Sequence, residues 1–174
     1  MLPKLDENIN LKDKFQTKFQ EILTSNIDFR EFLYEIFVEG TAYVVGGFLR
    51  DILLNRQSRD LDMIVSLPFK KTTEILNSSK LNYQTNRLNG FKIILLDFEV
   101  DLWCIENNWA FKENLVVQND DNILESISNG CFYNYDSLVI NIHTNNLNIR
   151  HFKEFLETKK LDIIQKNKKY KELS

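Results

Sequence analysis

The stretch Tyr43–Val65, YVVGGFLRDILLNRQSRDLDMIV, contains the features that decide the fold. An apolar strand leads into the Gly46-Gly47 pair and then into a short helix, which a second apolar strand follows. Glycine has no side chain, so a ligand can approach the backbone closely at this turn. The amide groups at the start of the helix favour an anion such as a phosphate. A glycine pair alone is more typical of a plain strand-to-helix turn.

Two carboxylates of the second strand, Asp60 and Asp62, are two residues apart and therefore point to the same face. Their backbones are expected to lie about 6.5 Å apart, at about 3.3 Å per residue. Such a pair can share one or two Mg²⁺ ions, which stabilise the attacking and leaving oxygens of a phosphoryl displacement. The alternative is a pair of surface carboxylates at the start of a strand, balanced by Arg56 or Arg59.

A third carboxylate, Asp101, lies among apolar residues of a later predicted strand. If that strand is a neighbour of the first, Asp101 comes to lie beside Asp60 and Asp62. Three convergent carboxylates are a common way to hold Mg²⁺ where phosphate is transferred. Trp103 shares the face of Asp101 by the two-residue period and could flank the same pocket.

The rest of the chain predicts an α+β domain with one mixed sheet flanked by helices, because strands and helices alternate irregularly. Helices are predicted at about 11–23, 29–37, 48–56, 68–79, 119–130 and from about 153, and strands at 42–45, 61–65, 82–88, 91–98, 99–106, 131–143 and 147–151. We therefore expect a single globular domain. It would consist of N-terminal helices (1–40) that pack on a core (41–150) and a C-terminal helix (151–174).

The composition is that of an ordinary globular domain, with 43% hydrophobic and 27% charged residues in a chain of 174. No run of eighteen apolar residues and no apolar signal-peptide region occur, so we expect no membrane contact and a cytoplasmic location. Cys104 and Cys131 are predicted to be buried free thiols in a reducing compartment. With two cysteines and two histidines, the sequence argues against a structural zinc site.

The charge of the chain is unevenly distributed. A net charge of −3 argues against an autonomous nucleic-acid binder, whose surface is usually basic. The segment 150–174, however, carries seven Lys and one Arg against four acidic residues, a local excess of four positive charges. This segment is interpreted either as a solvated helix face or as an edge that contacts RNA.

Taken together, these motifs resemble the signature of the head domain of class II CCA-adding enzymes and bacterial poly(A) polymerases. These proteins belong to the DNA polymerase beta-like nucleotidyltransferase superfamily. The family pattern is Gly-Gly, two residues, Arg-Asp and then Asp-x-Asp, and it is matched here by Gly46, Gly47, Arg50, Asp51, Asp60 and Asp62. The resemblance covers about residues 40–145.

The resemblance implies a role for each of these residues. It implies a polymerase beta-like fold whose sheet carries Asp60, Asp62 and Asp101 as catalytic ligands of Mg²⁺, with Mn²⁺ as an alternative. The other residues that it implies at the nucleotide are Gly46, Gly47, Arg50 and Asp51. The two glycines would cradle the triphosphate of ATP or CTP. The Arg-Asp pair would lie near the nucleotide or brace the loop as a salt bridge.

The chain departs from the family pattern in two places. An Arg that often follows the third acidic residue is absent from CIENNW, at 104–109. The nearest match to the family segment Arg-Arg-Asp-Phe-Thr-x-Asn-Ala, at 129–136, keeps the Phe but lacks the double Arg. Full CCA-adding enzymes also continue into helical neck, body and tail regions, which select the base and hold the tRNA.

Three functions therefore stay open at this point. The first is a Mg²⁺-dependent nucleotidyltransferase that moves a nucleoside monophosphate from a triphosphate to an RNA 3′ end such as that of tRNA, to a protein hydroxyl or to a small molecule. The second is a degenerate, non-catalytic nucleotide-binding or regulatory module, which the missing cations favour and the retained carboxylates oppose. The third is an enzyme completed by a partner protein that supplies the RNA-holding region.

Overall fold

The structure is a computed structural model that describes residues 8–58 and 60–165. Its helices are α1 Asn8–Ser25, α2 Ile27–Glu39, α3 Gly47–Leu53, α4 Phe69–Ser78, α5 Trp109–Lys112, α6 Ile123–Asn129 and α7 Arg150–Thr158. Its strands are β1 Ala42–Val45, β2 Asp60–Val65, β3 Asn82–Thr85, β4 Phe91–Leu95, β5 Phe98–Cys104, β6 Val139–Asn141 and β7 Leu147–Asn148. The predicted ion pair of Arg59 and much of the predicted basic segment lie outside the described residues.

All seven strands of the described ranges form one mixed sheet in the order β3-β4-β5-β2-β1-β6-β7. Neighbouring strands are antiparallel except β2 and β5, which run parallel. Because β2 is central, its ends are flanked on both sides by other strands. The carboxyl end of β1 meets the amino-terminal half of β2, since Val45 pairs with Asp62. The glycine turn and the carboxylates therefore lie at the same end of the sheet.

The two faces of the sheet bury different apolar clusters. The larger cluster combines one face with residues of α1, α2, α3, α4 and α7. A smaller cluster on the other face includes Tyr43 and Ile64 of the sheet and Ile127 of α6. Side chains alternate between faces along a strand, so Asp60 and Asp62 share the face of Ile64. This second face is covered by α6 near Ile64 and is open at the carboxylates, which are exposed.

The run 131–143, predicted as one long strand, is a strand only at Val139–Asn141. Local side-chain hydrogen bonds compete with strand pairing in the first part of the run. The Asn134 amide donates to Lys160 O at 3.0 Å, and the Ser137 hydroxyl donates to Asn134 O at 2.7 Å. Residues 134–136 form a 3-10 turn instead, which lies beside the open end of the second face.

The C-terminal helix is shorter than the sequence pattern indicates. Helix α7 ends at Thr158, where Lys159 adopts a left-handed conformation with φ 56°. The following residues are extended, and Ile163 forms an antiparallel bridge with Tyr133. This pairing fixes the loop that carries residues 131–136. No helix in the described part of the chain has the length and apolar character required to cross a membrane.

The two cysteines are free in the structure, and Cys104 is buried in the sheet. Burial raises the pKa of the Cys104 thiol, and burial also raises the pKa of Cys131 to about 12. A protonated thiol is a poor nucleophile. We therefore expect alkylation by iodoacetamide at pH 8 to be slow in the native protein and fast in 6 M guanidinium. Rapid modification of the native protein would contradict this assignment.

Candidate active site

The three predicted carboxylates lie on neighbouring strands of one sheet face. Asp62 of β2 is the direct neighbour of Asp101 of β5, and Asp60 is opposite Glu99. This parallel register places Asp101 beside the Asp60–Asp62 pair. The structure therefore brings the three residues together along one line across the two strands.

Asp62 carries the electrostatic signature of the site. Its pKa is raised to about 6, first because the carboxyl is partly desolvated within the cleft and then because Asp101, Asp60 and Asp136 add negative charge. Lys92 lowers it by a smaller amount. The carboxyl remains accessible from the cleft although protein surrounds it. Negative charge that the protein compensates incompletely favours the binding of a cation.

Lys92 of β4 lies on the outer side of this row. Its Nζ is 3.2 Å from Asp101 Oδ1 and 3.3 Å from Glu99 Oε2. These two carboxylates raise the pKa of Lys92. Asp101 thus has a cation as its neighbour, whereas Asp62 lies on the side away from Lys92.

The carboxylates suit a divalent ion by the type of their donor atoms more than by the arrangement of their side chains. Carboxylate oxygens are the donors that Mg²⁺ and Mn²⁺ prefer, and the uncompensated charge at Asp62 suits a cation. Among the described residues, however, no group of three or more His, Cys, Asp or Glu side chains is arranged to hold a metal ion. The expected closed cluster of three ligands is therefore absent from the described part of the chain.

The turn before α3 requires glycine at position 46. Gly46 has φ 80°, which L side chains rarely adopt, and its amide donates to Leu138 O at 2.8 Å. A Cβ at this position would also lie 3.2 Å from the carbonyl oxygen of Asp136. The turn thus holds β1, α3 and the 134–136 loop close together at the mouth of the cleft.

Gly46→Ala is expected to destabilise the protein by about 1–3 kcal/mol, because alanine in this conformation is strained and crowds a backbone oxygen. Urea denaturation measures the change. Gly47→Ala is the matched control, since Gly47 has no positive φ and its added Cβ would meet the flexible guanidinium of Arg50 at 3.3 Å. Equal losses in both variants would contradict a special role of the Gly46 conformation.

Arg50 is engaged by the protein itself. Its guanidinium bonds Asp136 and contacts Asp51 Oδ1 at 3.3 Å, and it lies 4.4 Å from the ring centre of Tyr135. Burial raises the pKa of Asp136, Asp51 raises it further and Arg50 lowers it. Arg50 therefore links α3 to the 134–136 loop. The loop-bracing alternative that the sequence left open for Arg50 and Asp51 agrees with these contacts.

A cleft of about 600 Å³ opens beside these residues. Two kinds of residue make up much of its lining: the charged and glycine residues Gly46, Gly47, Arg50, Asp51, Asp60, Asp62 and Asp136, and the aromatic residues Trp103, Trp109, Phe132 and Tyr133. The volume falls in the range of small-molecule sites, about 300–1,000 Å³. A lining that is partly charged and partly aromatic suits a nucleotide.

Several residues of the cleft are not singled out by the sequence motifs. Asp136, Trp109 and Tyr133 lie outside the Gly-Gly and Asp-x-Asp patterns. One signal in the sequence could have indicated Asp136. It is an acidic residue shortly before a buried strand, in the segment 129–136 that resembles a family motif. The position of Tyr133 and Asp136 at the cleft depends on the pairing of that loop with residues 160–164, which no local pattern predicts.

Comparisons with known proteins agree with the fold. The sequence pattern of the poly A polymerase head domain matches residues 42–120. The fold is similar to that of a CCA-adding enzyme in complex with ATP, with a TM-score of 0.61 and 14% identity over 93% of this chain and 37% of that one. An apo form of a CCA-adding enzyme gives a TM-score of 0.56 and 16% identity over 83% and 35% of the two chains. No curated protein sequence matches the chain.

A third similar structure is a tRNA nucleotidyltransferase with a primer tRNA and an incoming ATP analogue. It gives a TM-score of 0.51 and 16% identity, and the match covers 69% of this chain and 34% of that one. The chain thus spans about a third of the length of these enzymes. At such identities the likeness establishes the fold. The predicted α+β nucleotidyltransferase fold with a mixed sheet, and the resemblance to the head domain, are confirmed.

Proposed function

Since residues 42–120 match the poly A polymerase head domain, we propose that the chain is a metal-dependent nucleotidyltransferase. It moves a nucleoside monophosphate from ATP or CTP to an acceptor hydroxyl, with an RNA 3′ end such as that of tRNA as the first candidate and a protein hydroxyl as the second. The observation that carries the proposal is that Asp60 and Asp62 line a nucleotide-sized cleft and that Asp101, which does not line it, is the cross-strand neighbour of Asp62.

The three carboxylates have the task of holding the metal ion in the proposed reaction. Asp60, Asp62 and Asp101 are the residues that would hold Mg²⁺ or Mn²⁺. When bound, such an ion stabilises negative charge on the phosphoryl oxygens and favours deprotonation of the acceptor hydroxyl. The acceptor oxygen bonds to the α-phosphorus, the bond from that phosphorus to the β-phosphate oxygen breaks, and pyrophosphate leaves. Catalysis by the chain itself consists of positioning and electrostatics.

The glycine turn and the Arg50 network position the triphosphate. The backbone of Gly46 and Gly47 lines the cleft without side chains that would fill it. Arg50 bonds Asp136 and so holds the 134–136 loop against α3 beside the cleft. An RNA acceptor is supported by the similarity to enzymes bound to ATP, CTP and tRNA. Contact with RNA, a cytoplasmic location and a partner protein that supplies an RNA-holding region belong to the same proposal.

A non-catalytic nucleotide-binding module is the second candidate. It is favoured by the Lys92–Asp101 ion pair at 3.2 Å, which gives the third carboxylate a cation within the protein. The missing double Arg at 129–136 points the same way, because it removes cations that could grip a triphosphate. Nucleotide binding that does not depend on Mg²⁺ would identify this class.

Transfer of label tests the proposal directly. The protein is incubated with Mg²⁺ or Mn²⁺, each of four α-labelled nucleoside triphosphates, total RNA and cell protein. Label in RNA or in protein is expected for the wild type and not for Asp60→Ala/Asp62→Ala. The matched control is Glu31→Ala/Glu35→Ala, which removes two exposed carboxylates of α2 outside the cleft. Absence of transfer with every triphosphate, or transfer that survives in the Asp60/Asp62 variant, would overturn the proposal.

A further inference from the structure

Three aromatic side chains, Trp109, Phe132 and Tyr133, line the cleft and are here called the aromatic wall. The ring centres of Trp109 and Phe132 are 6.0 Å apart, and those of Phe132 and Tyr133 are 4.7 Å apart in an edge-to-face arrangement. The wall is thus a row of neighbouring rings in a cleft that charged side chains also line.

The rings of the wall are not fully buried. Each of the three residues is half-buried and lines the cleft. Aromatic side chains that line a cleft together offer ring surface to a ligand. Trp103 lines the same cleft and also packs against the smaller apolar cluster.

The chain holds the wall in place before any ligand binds. The carbonyl of Phe132 accepts a hydrogen bond from Ile164 N at 2.9 Å, and Tyr133 bridges to Ile163. Asn134 and Asp162 exchange two further hydrogen bonds, at 3.0 and 3.1 Å. A preformed aromatic surface binds with a smaller loss of conformational freedom than one that must be ordered.

Besides hydroxyl and indole N–H groups, the described lining of the cleft has one uncharged amide side chain that could read the edge of a base. Among the described residues that line it, Asn108 carries the single side-chain amide. Its Oδ1 already accepts a hydrogen bond from Ala110 N at 3.3 Å, where it caps α5. Stacking on aromatic rings is tolerant of base identity, because every base has a π-face.

We propose that the nucleobase of the triphosphate stacks on the aromatic wall, so that this chain binds all four nucleoside triphosphates with similar affinity. The inference rests on the proposed function, because the charged part of the cleft lining has to hold the triphosphate. The base is then held by Trp109, Phe132 and Tyr133 within this chain, and base selectivity at the binding step is weak.

Calorimetric titration tests the proposal. The ligands are ATP, GTP, CTP, UTP and inorganic tripolyphosphate, each with Mg²⁺. The four nucleotides are expected to bind with dissociation constants within about 10-fold of one another, and tripolyphosphate at least about 5-fold more weakly. Phe132→Leu keeps an apolar side chain and removes the ring. This variant is expected to bind the four nucleotides about 5- to 150-fold more weakly than the wild type and to bind tripolyphosphate with unchanged affinity.

One control and one further variant keep the test decisive. Tyr34→Leu removes an exposed aromatic ring of α2 outside the cleft and is expected to change nothing. Trp109→Leu is the second variant at the wall, to be used if circular dichroism shows that Phe132→Leu is unfolded.

The possible failures are distinguishable. Equal binding of ATP and tripolyphosphate, or a preference above about 100-fold for one nucleotide, would overturn the role of the wall and leave the transferase proposal intact. Absence of binding by every triphosphate and by tripolyphosphate would overturn the proposed function, and the role of the wall would fall with it.

Discussion

Asp62→Asn is expected to lower nucleotide transfer by about three orders of magnitude or more and, in metal-free buffer, to make the folded protein more stable. Loss of a metal ligand removes several kcal/mol of transition-state stabilisation, and each 1.36 kcal/mol is a tenfold change in rate. Asparagine has nearly the same shape but no charge. The fold is therefore retained while the charge that the site requires is lost.

The gain in stability follows from the pKa of Asp62. Its pKa is about 6 in the folded protein, against 3.8 for an unperturbed aspartate carboxyl. A raised pKa means that the carboxylate charge disfavours the folded state, and this penalty develops as the pH rises from about 3.8 to about 6. The melting temperature of the variant should therefore exceed that of the wild type at pH 8, and the difference should shrink towards pH 4.

Thermal denaturation in chelator at pH 4 and pH 8, followed by titration with Mg²⁺ at pH 8, measures both effects. Mg²⁺ is expected to raise the melting temperature of the wild type more than that of Asp62→Asn. Glu35→Gln on α2 is the matched control, because it removes an exposed carboxylate outside the cleft. Full transfer activity in Asp62→Asn would show that the site is assigned to the wrong residue. Lost activity together with a lower melting temperature would indicate a structural role.

Arg50→Met is expected to cause the largest loss of stability among single substitutions at the site, about 2–4 kcal/mol. Removing one partner of a buried ion pair leaves an uncompensated charge and usually costs about 3–5 kcal/mol. The lower range applies here because the Asp136 side chain is 45% exposed, whereas those of Arg50 and Asp51 are 18% and 17% exposed. Arg50→Met also removes the cation that faces the ring of Tyr135.

Urea denaturation of Arg50→Met, Asp136→Asn and the double variant measures the coupling between the two side chains. The double variant should be less destabilised than the sum of the single variants, because Asp136→Asn removes the charge that Arg50→Met leaves unpaired. Arg50→Lys should fall between wild type and Arg50→Met, since lysine keeps the charge but not the planar group that contacts two carboxylates and a ring. Additive losses would contradict the network.

The local features of the candidate site could be predicted from the sequence because they depend on neighbours along the chain. A spacing of two residues along a strand is enough to place Asp60 and Asp62 on one face. The glycine pair after an apolar run is enough to predict the strand-to-helix turn, and the structure adds the reason for Gly46, its φ of 80°. The helical periodicity around Phe15 and Phe32 likewise predicts α1 and α2, where both rings are buried.

The failures of prediction occurred where distant segments compete for the same backbone. The apolar and aromatic residues of segment 131–143 favour a strand. The first part of this segment, however, is held by hydrogen bonds with residues 160–164. The C-terminal helix ends early for the same reason, since its apolar residues Ile163 and Ile164 pair with the 132–134 loop. Propensity describes what a segment prefers alone, and these segments have partners.

The sequence by itself determined the class of fold, the glycine turn and the face that carries the Asp60–Asp62 pair, because each follows from spacing along a single element. Only the tertiary structure decided that Asp101 is the neighbour of Asp62, that Lys92 pairs with Asp101 and that Asp136 bonds Arg50. The physical reason is that strand register and loop docking are set by the burial of whole faces and by hydrogen bonds between segments far apart in the chain.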